Sequence, residues 1–131
     1  MRTPTDLYEA WQWYRDALGG KRPPITTEPH PGFFQRRLVR GGVMVPVAIW
    51  IEQEIDPLTG ELTSDEEMLC LVNGEFVSAV DTWTFCAANP IPRSEYDYLV
   101  ASIQWAKGYA PQSPFAQPSR KIDFNALPAA F

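Results

Sequence analysis

MLCLVNGEFVSAV, residues 68–80, decides the fold. Two apolar runs flank Asn73-Gly74, the residue pair best suited to positive φ at both centres of a type I′ turn. A two-residue turn sets the register, so Leu71 faces Phe76 and Cys70 faces Val77. The centre of the chain therefore reads as antiparallel β.

A second hairpin is read upstream. FFQRRLV (33–39) and VMVPVAIWI (43–51) flank Arg40-Gly41-Gly42, with the two glycines as turn residues. Phe34 then faces Ile49, Arg36 faces Val47 and Leu38 faces Val45, while Phe33, Arg37 and Val39 share the other face with Trp50, Pro46 and Met44. Pro46 lacks a ladder donor, which places its strand at an edge or gives it a bulge. Downstream, residues 83–86 (WTFC) extend the second hairpin or begin another strand.

Helical spacing marks both sides of this β region. Thr3 is placed to cap the first helix, with Pro4 at its first position and Asp6 near its positive end. Leu7, Ala10, Trp11, Tyr14, Ala17 and Leu18 form its apolar stripe, Tyr8 and Trp13 fall off that stripe, and Gly19-Gly20 end it. Residues 19–32 hold four prolines and three glycines and read as a linker. The later helix begins with Ser94 as cap and buries Tyr96, Leu99, Val100, Ile103 and Ala106; Gly108 closes it. The expected fold is α+β: an antiparallel sheet of four to five strands, open or rolled into a barrel, between an N-terminal and a C-terminal helix that each hide an apolar face. Residues 1–108 make the domain and 109–131 an extended Pro-rich tail.

Length and composition set the class. At 131 residues and 45% hydrophobic, the chain fits one domain. Its longest apolar run, 43–51, has nine residues, short of a membrane span. The N-terminus lacks the apolar core of a secretory signal, and two cysteines are no disulfide framework. A cytoplasmic protein with no membrane association is expected. Sixteen acids against eleven bases give a net charge of −5, which disfavours direct nucleic-acid binding. Arg36, Arg37 and Arg40 are the basic cluster of note.

Motifs of catalysis are sparse. The one histidine, His30, lies between Pro29 and Pro31 and reads as a solvated loop residue. No GxSxG, HExxH, GxxxxGK[ST] or GxGxxG occurs. Cys70 and Cys86 sit in apolar surroundings and read as buried free thiols. No catalytic, cofactor or metal-binding residue is assigned. Segment 52–67 carries seven carboxylates and no base: Glu52, Glu54, Asp56, Glu61, Asp65, Glu66 and Glu67. It fails as a calcium loop, because Leu58 and Gly60 stand where oxygen ligands belong and Glu61 replaces the required glycine. It reads as a solvated hairpin loop or, more sharply, as an electronegative patch that docks on a basic partner surface.

Two further features point to partners. Five tryptophans exceed what a small core needs, and interfaces favour Trp, Tyr and Arg. The plain reading covers both sheet faces and packs Trp11, Trp83 and Trp105 in the core; Trp50 with Phe33 and Arg37 offers an exposed platform. In the tail, Ile122, Phe124, Leu127 and Phe131 fold back over their own sheet, dock on another protein, or swap onto a second copy to make a homodimer.

GFFQRR…VPVAIW (32–50) and DTWTFCAANPIPRSEYDYLVA (81–101), with the Pro-rich apolar tail, resemble small uncharacterised accessory proteins of tailed phages and prophages. The resemblance implies a context, a protein made in the cytoplasm of an infected or lysogenic bacterium, and supplies no functional residues. The expected function is non-enzymatic: binding a protein partner, as an inhibitor of a host defence nuclease complex, through the acidic loop and exposed aromatics. The alternatives are a virion structural or assembly component docking through its tail, and a small nucleotide-binding protein or enzyme.

Overall fold

Asn73 and Gly74 take φ of +52° and +83°, the left-handed pair that a type I′ turn requires. Around them β3 (Glu67–Val72) and β4 (Glu75–Val77) pair as Cys70↔Val77, Leu71↔Phe76 and Val72↔Glu75, the expected register. With β1 (Gly32–Arg37) and β2 (Met44–Glu52) they form an open antiparallel sheet in the order β1-β2-β3-β4. The computed structural model describes residues 2–119. Helices α1 (Leu7–Ala10) and α2 (Gln12–Leu18) precede the sheet, while α3 (Ala79–Cys86), α4 (Arg93–Tyr109) and a 3-10 turn (Pro114–Ala116) follow it. The class is α+β, and no helix among the described residues is long and apolar enough to cross a membrane.

The first hairpin keeps its faces and loses its expected register. Phe34 pairs with Val47 and Arg36 with Val45, two residues from the reading above, across a six-residue loop, 38–43. The turn sits at the centre of that loop, one residue before the expected pair: Gly42 N–H donates to the Val39 carbonyl, with Gly41 at φ +80° between them. Arg37 Nε braces it with a bond to the Gly42 carbonyl at 3.0 Å. A slip of two restores the same side-chain faces, so burial alone does not choose between the registers.

Pro46 stands in the interior strand β2, neither at an edge nor at a bulge. Its carbonyl accepts from Asn73 N–H at 3.0 Å, so its missing N–H would point the same way, toward the β3 side. There β3 has already given way to the Asn73-Gly74 turn, and no ladder bond is lost. The outer edge of β1 is covered by the chain around Pro90, where Gln35 N–H donates to Asn89 and Ile91 N–H to Phe33.

One sheet face carries Phe34, Val45, Val47, Ile49, Cys70 and Val72, all buried. α3 covers it, a helix where a strand was expected. Ser78 caps that helix, its hydroxyl accepting from Asp81 N–H, and Trp83, Cys86 and Ala87 seal the core. The N-terminal helices thus leave this face to α3 and reach it through Trp13 and Tyr14, which pack on Phe34. Their start also moves: Asp6, not Thr3, is the cap, its carboxylate accepting from Tyr8 and Glu9 N–H, and Thr5 just before it is bonded to Glu66 across the molecule. At the far end Gly20, at φ +81°, closes α2. The opposite face lies under α4, which packs on β1 and β2 with Tyr96 4.8 Å from Phe33. Pro92 takes the cap position in place of Ser94, and α4 runs through Gly108 to Tyr109.

Candidate functional site

The acidic segment is a braced hairpin. Beyond β2 and β3 the chain continues through an Ile55↔Leu62 bridge, with Thr63 N–H donating to Glu54 and Asp56 N–H to Glu61. At its tip the Asp56 carboxylate accepts from Leu58 N–H at 2.8 Å, and Gly60 turns the chain at φ +73°. The N-terminus clamps the outer strand: Leu62 N–H donates to the Arg2 carbonyl, and the Arg2 guanidinium pairs with Asp65. Glu66 is the anchor. It accepts from Gln53 Nε2 at 2.9 Å and from the Thr5 hydroxyl at 2.8 Å and Thr5 N–H at 3.2 Å. These bonds favour its charged form and hold its pKa below the ordinary carboxylate value.

The remaining acids divide by exposure. Glu52, Glu54 and Glu67 are exposed, and with Gln53, Ser64 and Asp65 they rim a hollow of about 330 Å³. Asp56 and Glu61 are half-buried. Glu52 and Glu67 face each other directly across the β2–β3 ladder, and Leu58 stands fully in solvent at the tip. Among the described residues no group of three or more His, Cys, Asp or Glu is placed to hold a metal ion.

The reactive side chains lie elsewhere and inside. Cys70 and Cys86 are fully buried free thiols, and burial raises both, Cys86 to about 12. His30 is no solvated loop residue. Its ring stacks on Trp13 at 5.4 Å and 9°, and lies 5.6 Å from Trp83. Burial lowers its pKa, with Glu28 opposing the shift. The same two indoles pin the linker, Trp13 donating to the Pro24 carbonyl at 3.0 Å and Trp83 to Thr26 at 2.8 Å.

The aromatics are redistributed. Trp50 is half-buried, donates to Glu52 Oε2 at 3.0 Å and meets Phe76 at 6.2 Å. It shares no platform with Phe33, which is taken up by Trp11, Tyr14 and Tyr96, while Arg37 serves the hairpin loop. Trp105, which the plain reading packs in the core, is 59% exposed and stacks on Tyr109. With Tyr98 and Phe115 it forms an apolar surface that sequence reasoning missed. The signal was present, since residues 98, 101, 102, 105 and 109 share a helix face opposite the buried stripe. Ile122, Phe124, Leu127 and Phe131 lie outside the described residues. Comparison with protein-family models, with curated proteins and with solved structures finds no match for this chain.

Proposed function

We propose that this protein works by binding, without chemistry of its own, and that its acidic hairpin docks on a basic surface of a protein partner. The observation that carries this reading is the Glu52–Glu67 pair. Like charges directly opposite in a sheet weaken it, yet here two glutamates face each other at the mouth of an acid-rimmed hollow. A cationic side chain from a partner would relieve that repulsion. The bracing by Thr5, Gln53 and Arg2 favours binding in a second way, because a hairpin held in shape loses little freedom on docking. Exposed Leu58 supplies an apolar contact at the tip.

The finer identity of the partner follows the phage resemblance. A host defence nuclease presents a basic, nucleic-acid-binding surface, and an acidic hairpin is a fitting plug for one. The test is affinity capture from infected or lysogenic cells with the wild-type chain and a Glu54→Lys/Glu67→Lys variant, which keeps Glu52 as the cross-strand partner of residue 67. Glu66 is left intact because it holds the hairpin together. The variant should lose the partner while folding at least as stably, since Glu67→Lys turns a repulsive cross-strand pair into one worth roughly 0.2–1 kcal/mol. Equal recovery by both chains would overturn this reading, and recovery of virion proteins would move the function to assembly.

A further inference from the structure

We propose that the outer face of α4 is a self-association surface, and that its occupant is the same face of a second copy of this chain. The reading is independent of the acidic hairpin. Tyr98, Ala101, Ser102, Trp105 and Tyr109 recur at helical spacing on the side of α4 turned away from the sheet, Ser102 half-buried beside Phe115 of the 3-10 turn and the others exposed. Tyr98 is 71% exposed, Trp105 59% and Tyr109 79%. Trp105 and Tyr109 stack at 5.8 Å and 29°, so the lower half of the stripe is a continuous aromatic surface.

The order along the stripe is what selects a second copy. A large residue, a small pair and a large residue follow one another, with the small pair at the middle. An antiparallel copy related by a two-fold axis at Ala101-Ser102 brings the Trp105 of each chain over the Tyr98 of the other. The small residues let the helices approach closely at the axis. A hollow of about 400 Å³, lined by Tyr98, Ser102, Trp105, Ala106 and Phe115 among others, lies beside them with room for an aromatic ring. Charge chooses the antiparallel sense as well. At one end of α4 Glu95 stands beside the Arg93–Asp97 ion pair and at the other end stands Lys107, so an antiparallel pair sets the Lys107 of each copy near the other's Glu95 while a parallel pair sets like charges together.

The area is sufficient, though modest. Aromatic side chains offer roughly 150–250 Å² each, so the exposed parts of Tyr98, Trp105, Tyr109 and Phe115 come to on the order of 500 Å² per copy. Two copies would bury about 1,000 Å², the lower bound for a specific interface. The dimer should therefore depend on concentration. Each such particle would carry two acidic hairpins.

Sedimentation of the full-length chain over a concentration series provides the first test, and the mass should double. Trp105→Glu should return it to the monomer, with an unchanged far-ultraviolet circular dichroism spectrum as the control for folding. Ser102→Cys provides a test that needs no destabilising change. Both native thiols are fully buried, so under mild oxidation the wild type should stay single-chain while the variant cross-links at the two-fold axis. A wild-type chain that is monomeric at every concentration would overturn the proposal and leave the face to the C-terminal segment or another protein. A dimer that survives Trp105→Glu, or one that Ser102→Cys does not cross-link, would overturn it equally.

Discussion

Helices α3 and α4 each lie on one face of the same sheet, and they place their tryptophans in opposite ways. Trp83 of α3 is 0% exposed, with its rings against Phe34 at 5.5 Å and Trp13 at 4.9 Å, and its N–H bonded to Thr26. Trp105 of α4 points outward and stacks on a residue of its own helix. The difference lies in what surrounds each helix. α3 is short and wedged between the sheet and the linker, so a large side chain there has a partner for its ring and another for its indole N–H. α4 is longer and needs one stripe, through Ile103 and Ala106, to hold the sheet. Its other stripe faces away from the sheet, and among the described residues the 3-10 turn lies beside it. The lesson is that one residue type serves cohesion or recognition according to whether its polar atom and its ring both find partners inside.

The comparison breaks most sharply at Trp83. Trp83→Ala empties the centre of the core, leaves the Thr26 carbonyl without its donor and removes one wall of the His30 site. We expect a loss of about 3–5 kcal/mol, much of the stability of a domain this size, measured as a fall in the denaturant midpoint. A loss of less than about 1 kcal/mol would mean that the core face is not held as described.

A smaller effect tests the strap that Trp83 and Trp13 hold down. Burial lowers the His30 pKa from 6.5, so the folded chain prefers the neutral ring and the unfolded chain takes up the proton first as pH falls. The stability gained from the neutral ring is complete above pH 6.5 and is lost as pH falls from there through the lowered folded value. The unfolding midpoint should therefore drop as pH falls below 6.5, and His30→Gln should remove most of that drop. An unchanged slope in the variant would assign the pH dependence to the carboxylates instead.

How much of this was legible in the sequence depends on whether the signal was local. Asn73-Gly74 predicted its turn and register correctly because positive φ is a property of those two residues. Gly41-Gly42 misled, since one of the glycines takes positive φ while the strands are set by contacts further along. α3 was missed because Val, Thr, Trp, Phe and Cys favour strands. The spacing of Ser78 and Asp81 was nevertheless a capping signature in plain view. The acidic segment was found by composition, but its division into an anchor and a display surface was not. That division depends on Thr5, sixty-one residues from Glu66 along the chain. His30 was misjudged for the same reason: its indole partners come from α2 and α3.

The least disruptive change is the one that sharpens the contrast. Trp105→Ala removes a ring of the same size as that of Trp83, from a helix on the same sheet. Because the ring is largely in solvent and its neighbour Tyr109 is exposed too, the stability change should stay within about 0.5 kcal/mol of zero. The measurement is a thermal or denaturant midpoint at a concentration low enough to keep the chain monomeric, so that no association contributes. A large loss there would show that Trp105 carries weight within a single chain, and the division of labour between α3 and α4 would fail. A near-zero change, beside a loss of several kcal/mol at Trp83, would separate the tryptophan that holds the fold from the one that faces outward.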